Sequence, residues 1–313
     1  MHWDSGQLAA LAAVVTEGSF DAAARALHVT PSAVSQRVRA LENVTGTVLV
    51  QRTRPVAPTA PGRTLLRLAR QVELLGAEAA AELGPAPDDG RPVTVPIAVN
   101  ADSLATWLMP ALSAVDDVCF DVHVADQDRT VELLPAGVVM AAVTSQRDPV
   151  QGCTSVPLGV TRYRPAVRED LVARWFPEGP TPAALATAPV VVFDRTDDLQ
   201  DRWLRDVARR AGTTVPRPPR HHVPSTAAYL AAIRAGMGWG MWGPLPRDGA
   251  RFEVLEPADD VTWLSEDTVD VPLHLQQWKL RSAVLERVTA ALRDEAGRAL
   301  PQATGPDDLA RAR

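Results

Sequence analysis

A chain of 313 residues is long enough for two or three domains, and 46% hydrophobic with 22% charged residues suits a sizeable buried core. No run approaches twenty apolar residues, and the start, MHWDSGQ, lacks the basic-then-apolar order of a secretory leader, so the reading excludes a membrane span and points to the cytoplasm. The net charge of −6 hides an asymmetry: between Ala22 and Val72, arginine stands at 25, 37, 39, 52, 54, 63, 67 and 70 against one acid, Glu42. The remainder is acidic, which suggests one module built for phosphates and another built for something else. Cys119 and Cys153 lie far apart in no ligand-like spacing and read as buried small hydrophobes.

In chain order, Gln7 to Glu17 places Leu8, Leu11, Ala12 and Val15 on one helical face, and Gly18 stops the helix. Ser19 is the expected cap of a short second helix, Phe20 to Leu27, whose alanines let a neighbour approach closely. Thr30 caps a third helix from Pro31 to about Asn43. Its Val34, Val38 and Leu41 face inward. Ser32, Ser35, Gln36 and Arg39 share the other face, beside Arg37, without a carboxylate among them. Hydroxyls, an amide and guanidinia in that array suit base edges and phosphates, so the segment reads as a helix-turn-helix with its recognition helix in the major groove. The strand Val48–Val50 and a return near Pro58 make a hairpin wing, its tip carrying Arg52 and Arg54.

From Gly62 to Leu83 the chain is helix-forming, and Leu65, Leu68, Val72 and Leu75 repeat at heptad spacing, a dimerisation seam. A Pro/Gly/Asp linker follows at 84–90. Beyond it, short apolar strands (93–99, 119–124, 138–143, 190–193, 238–242) alternate with helices (103–115, 199–211, 225–235, 281–300), the pattern of α/β layers. Ligands in such folds sit at strand ends and helix starts. Those places hold Asn100, Asp102, Ser103, Thr106 and Trp107 after the first strand, Asp126 and Thr144 after the next two, then Asp194, and the corner Ser225-Thr226. Each alone is as well read as a helix cap.

The string LAALAAVVTEGSFDAAARALHVTPSAVSQRVRALENVTGTVLVQRTRPVAPTAPGRTLL resembles the N-terminal domain of LysR-type transcriptional regulators, down to the T-x-x-G turn from Thr59 to Gly62. The resemblance implies an α+β multidomain chain. It has a winged helix-turn-helix at 1–61, a linker helix and hinge at 62–90, and an effector-binding domain at 91–301 of two periplasmic-binding-protein-like subdomains. These are 91–161 with 269–300, and 162–268. Residues 302–313 read as a disordered tail.

The segments VNADSLATWLMPAL, GVTRYRPAV, FDRTDDLQDRWL and HHVPSTAAYLAAIRAGMGWGMW resemble the subgroup that controls basic-amino-acid exporters. That implies lysine or arginine as effector, hydroxyls and helix amides for its α-carboxylate, and aspartates for its amines. Asp126 and Asp194 stay open as the side-chain partner. Expected partners are a dyad-symmetric double-stranded DNA operator, a homodimer or homotetramer, and RNA polymerase as a further contact. The alternatives are another small effector, or a ligand-indifferent nucleoid or replication-origin binder. No enzyme, cofactor or metal is expected. His221-His222 on a strand point to opposite faces, and Gly236–Gly240 follows a helix where a nucleotide loop would precede one.

Overall fold

The computed structural model describes residues 3–84, 92–125, 132–243 and 260–301. Helix α1, Ser5–Thr16, begins where the Asp4 carboxylate accepts from the Gln7 amide. It packs against α2 (Phe20–Ala26), α3 (Pro31–Thr45) and the long α4 (Ala60–Glu82). That three-sided packing is why Val14, not only Leu8, Leu11 and Ala12, is fully buried, while Val15 is half-exposed. Ser19 and Thr30 cap α2 and α3 as expected. Helix α3 runs two residues beyond the expected end, to Thr45, and Gly46, with a φ of 68°, supplies the left-handed turn that stops it.

The wing is reduced to two-residue strands, β1 (Val50–Gln51) and β2 (Ala57–Pro58), paired antiparallel with Val50 opposite Pro58. Val48, expected in that strand, lies outside it at 62% exposure, and Leu49, Val50 and Val56 anchor the hairpin to the core. Thr59 accepts from the Gly62 amide and so caps α4. A Cβ at Gly62 would stand 1.9 Å from the Leu49 carbonyl oxygen, so only glycine lets α4 enter against the wing.

Beyond the linker, β3 (Val93–Val99) pairs in parallel with β4 (Val118–Val124) and β5 (Ala141–Thr144). Two long strands follow, β6 (Cys153–Arg168) and β11 (Val269–Trp278). The sheet order is β10-β6-β11-β5-β3-β4, with β10 at Val261–Trp263 and β9 (Gly240–Trp242) antiparallel to β6. A separate parallel pair joins β7 (Val190–Val192) to β8 (Arg220–His222), and the helices between β6 and β8 are α7 (Val172–Trp175), α8 (Pro182–Thr187) and α9 (Leu199–Ala211).

By contacts the chain forms two compact units. One gathers the described residues of Met1–Val99, Ala114–Val156 and Leu275–Ala291; the other those of Asn100–Ser113, Pro157–His274 and Leu292–Arg313. In the second, Ala166, Val191, Ile233 and Trp242 form a core under Tyr229.

Three expectations are corrected. The helix expected over 103–115 is two pieces, α5 (Ala101–Ala105) and α6 (Leu108–Ser113), broken at Thr106 with φ −114° and ψ −93°. Pro110 has no N–H for the Thr106 carbonyl and its ring crowds that carbonyl, which forbids one continuous helix. The strand expected over 138–143 begins only at Ala141, because the Val138 and Val139 amides bond the Leu133 carbonyl instead. Cys119 is exposed, not buried; Cys153 is buried, and its thiol is pushed up to about 11 by that burial. No helix among the described residues is long and apolar enough to cross a membrane. The expected tail at 302–313 and most of the linker, 85–90, lie outside the described residues.

Candidate nucleic-acid interface and effector site

On α3, Val34, Val38 and Leu41 are buried to the last few per cent, which fixes the roll of the helix. The opposite face then leaves Ser32, Gln36 and Arg39 exposed, with Ser35 and Arg37 half-exposed at its flanks. Arg52 and Arg54 are exposed on the hairpin. The Arg52 guanidinium lies 5.4 Å from the centre of the Phe20 ring, a cation–π contact that steadies the wing against α2. Among the described residues no ion pair involves Arg37, Arg39, Arg52 or Arg54, which leaves their charge available on this face.

The predicted seam on α4 divides. Leu65 is buried in the core of the N-terminal helices and Leu68 packs half-buried against it, so Leu65 faces its own domain. Val72 and Leu75 are exposed by 41% and 40%, and Leu83 by 91%.

Four of the candidate effector residues, Asn100, Asp102, Ser103 and Thr226, come together around Asp102 within the second unit. Asn100 turns the chain out of β3 by accepting the Ser103 amide at 2.7 Å, which leaves Asp102 in the first turn of α5. One Asp102 oxygen accepts from the Tyr163 hydroxyl at 2.6 Å, the other from the Thr226 hydroxyl at 2.9 Å. Tyr163 comes from β6 and Thr226 from the first turn of α10 (Thr226–Arg234), so three elements converge on one carboxylate. Burial, then the neighbouring Asp102 charge, hold the Tyr163 phenol well above its ordinary pKa, so it remains a donor.

Asp197 completes the cluster. Its carboxylate accepts from the Phe193 and Leu199 amides, and burial raises its pKa against those hydrogen bonds. Its charge also acts on Tyr163 and on the buried Tyr229. Tyr229 in turn accepts from the Gln200 amide and the Met241 amide and donates to the Met241 carbonyl. The buried Ser103 hydroxyl and Gln200 carbonyl oxygen have no hydrogen-bond partner among the described residues. Neither Asp102 nor Asp197 is ion-paired to a cation among the described residues.

The other predicted residues fall differently. Thr106 donates to its own helix at the Asp102 carbonyl, and Trp107 is buried core whose indole N–H has no partner among the described residues. Asp194 accepts from the Thr196 amide, the Thr196 hydroxyl and the Asp197 amide, which fastens its own turn. Ser225 caps α10. Thr144, fully buried in the first unit, accepts from the Gln146 amide. Asp126 lies outside the described residues. Tyr163, Asp197, Gln200 and Tyr229 are the polar residues that sequence reasoning missed. Two acids three residues apart, Asp194 and Asp197, were the available signal.

Residues 5–63 match the family described as bacterial regulatory helix-turn-helix protein, lysR family, and residues 90–251 match the LysR substrate binding domain. The chain is 47% identical over 296 residues to the HTH-type transcriptional regulator LysG of Mycobacterium tuberculosis, covering 93% of this chain and 92% of that one. It is 39% identical over 295 residues to the lysine export transcriptional regulatory protein LysG of Corynebacterium glutamicum, covering 93% and 97%. The solved full-length LysG of Corynebacterium glutamicum with bound effector Arg is similar at a TM-score of 0.70 and 35% identity, covering 95% of this chain and 99% of that chain.

Proposed function

The chain belongs to the LysR family of bacterial helix-turn-helix transcriptional regulators, and on that premise we propose that its sensing domain takes a basic amino acid, lysine or arginine, and that it controls an amino-acid exporter gene. The observation that carries the effector class is the pair Asp102 and Asp197 around Tyr163, two carboxylates that no ion pair among the described residues balances, while Arg220, paired to Asp201, acts on Asp197 from beyond ion-pair range. An ammonium or guanidinium ligand supplies that balance, and charge-assisted hydrogen bonds of this kind are about twice as strong as neutral ones. The Ser103 hydroxyl is a donor for the α-carboxylate. A relative that holds Arg and one named for lysine export support the same reading.

On the DNA side, Ser32, Ser35, Gln36 and Arg39 read base edges, while Arg37, Arg52 and Arg54 meet phosphates or the minor groove. Val72 and Leu75 pair two chains, so the operator has dyad symmetry. The amino acid shifts which DNA-bound arrangement is favoured, by as much as its affinity differs between the two states.

The test is thermal stability of the full chain against each of the twenty amino acids, followed by binding to DNA upstream of its own gene. A ligand at a hundred times its Kd stabilises the folded state by about 2.7 kcal/mol. A shift confined to lysine, arginine or histidine is expected. No shift with any of the twenty, together with tight operator binding, removes the effector class and leaves the regulator.

A further inference from the structure

Arg70, midway along α4, is the one buried guanidinium among the described residues, with 6% of its surface exposed. Its Nη2 donates to Oγ1 of Thr16, the last residue of α1, at 3.1 Å. Its Nη1 donates to the Val138 carbonyl at 2.5 Å. Burial lowers its pKa from the ordinary arginine value, and the Glu73 and Asp121 carboxylates act against that. A single side chain therefore ties the DNA-binding helices to the segment that leads into β5.

Other contacts lie on the same stripe of α4, at positions 67, 70, 74 and 78. Gly137, at φ 71°, approaches so closely that an added Cβ would stand 2.6 Å from the Arg67 amide nitrogen. Leu74 is fully buried. Glu78 accepts from the Ser282 hydroxyl at 2.5 Å and the Val284 amide at 2.9 Å, closing the start of α11, Ala283–Ala299. This stripe is distinct from the exposed one of Val72 and Leu75.

We propose that Arg70 is a latch that transmits a change in the sensing domain to the DNA-binding helices. Val138 stands three residues before β5, and β5 ends at the buried Thr144. A displacement of that strand pulls the Val138 carbonyl from the guanidinium. A buried guanidinium left short of acceptors is costly, so the contact breaks and re-forms between two arrangements without stretching. The inference rests on the reading of the protein as amino-acid-responsive, and one arm of its test is independent of that reading.

That arm is hydrogen exchange of the ligand-free full chain, comparing wild type with Arg70→Met and with Thr16→Val, the milder variant that removes only the acceptor on α1. Exchange in the last turn of α1 at least tenfold faster in both variants, and around residues 133–140 in Arg70→Met, is expected; unchanged exchange in both overturns the latch. The second arm is DNA affinity with and without saturating L-arginine or L-lysine. In Thr16→Val the ratio falls to within twofold of one, while amino-acid affinity in the absence of DNA stays within threefold of wild type. A variant whose ratio matches wild type overturns the latch. A wild type that ignores both amino acids overturns the effector reading instead, and the exchange arm alone then decides the latch.

Discussion

Asp102 is held by two hydroxyls that can only donate to it, so both of its oxygens are oriented before any ligand arrives. Asp102→Asn keeps the shape, but it removes the charge and sets amide protons against hydroxyl donors. Affinity for lysine or arginine is expected to drop by about 1.5–3 kcal/mol, roughly ten- to a hundredfold, with ligand-free DNA binding unchanged. Calorimetry with the amino acid and fluorescence anisotropy with operator DNA check the two halves separately. Arg39→Ala has the opposite signature. It is expected to cost about 1–3 kcal/mol of operator affinity and to relax preference at one base position, leaving amino-acid binding intact. Anisotropy across a set of single-base operator variants measures both. The two sites were unequally legible for a physical reason. Arg39 and its neighbours follow from local helical period, whereas the partner of Tyr163 lies 61 residues away in sequence. Asp194 was read from its place at a strand end, and that position alone does not reveal that its carboxylate folds onto the Thr196 and Asp197 amides of its own turn.

At the scale of elements, caps and stops were the most readable features. Ser19 and Thr30, read as caps, each accept a backbone amide three residues on, and Asp4 and Thr59, not read as caps, do the same. What escaped was the break at Thr106, where Pro110 had to be weighed against an otherwise helical run. The close approach at Gly62 predicts that Gly62→Ala, a favourable change in an open helix, here destabilises the N-terminal domain, because the Leu49 carbonyl blocks the added carbon. Urea unfolding followed by helical circular dichroism should show a lower midpoint; an unchanged or raised midpoint would show that the wing yields easily.

A second element-scale case is Asp267, which accepts from both Arg210 and the Trp203 indole on α9, Leu199–Ala211. The Arg210 hydrogen bond, foremost, holds its carboxyl well below the usual range. A carboxyl depressed on folding stabilises above its unfolded pKa, near 4, and loses that contribution as pH falls toward the folded value. Asp267→Asn should therefore lie below wild type in stability at pH 7, and the gap should narrow below about pH 4. Denaturant titrations at pH 7 and pH 3 decide it; a gap that is constant with pH would assign the loss to packing.

For the whole molecule, the α4 stripe shows what period can and cannot say. Heptad spacing grouped Leu65, Leu68, Val72 and Leu75 together, yet spacing does not distinguish a partner chain from the helix's own domain. The fold separates them: Leu65 is in the N-terminal core, while Val72 and Leu75 are exposed. Leu65→Ala should then cost about 2–5 kcal/mol of domain stability, the range for a leucine emptied from a packed core. Val72→Asp with Leu75→Asp should leave that stability nearly unchanged and disrupt self-association, which sedimentation velocity reads directly. The DNA consequence follows from counting phosphates. Paired chains neutralise twice as many as one chain, and the slope of log affinity against log salt is about −0.9 per phosphate contact. The double aspartate variant should bind a dyad operator with roughly half the wild-type slope, no better than it binds an isolated half-site. Wild-type mass and slope in that variant would move the pairing surface off this stripe.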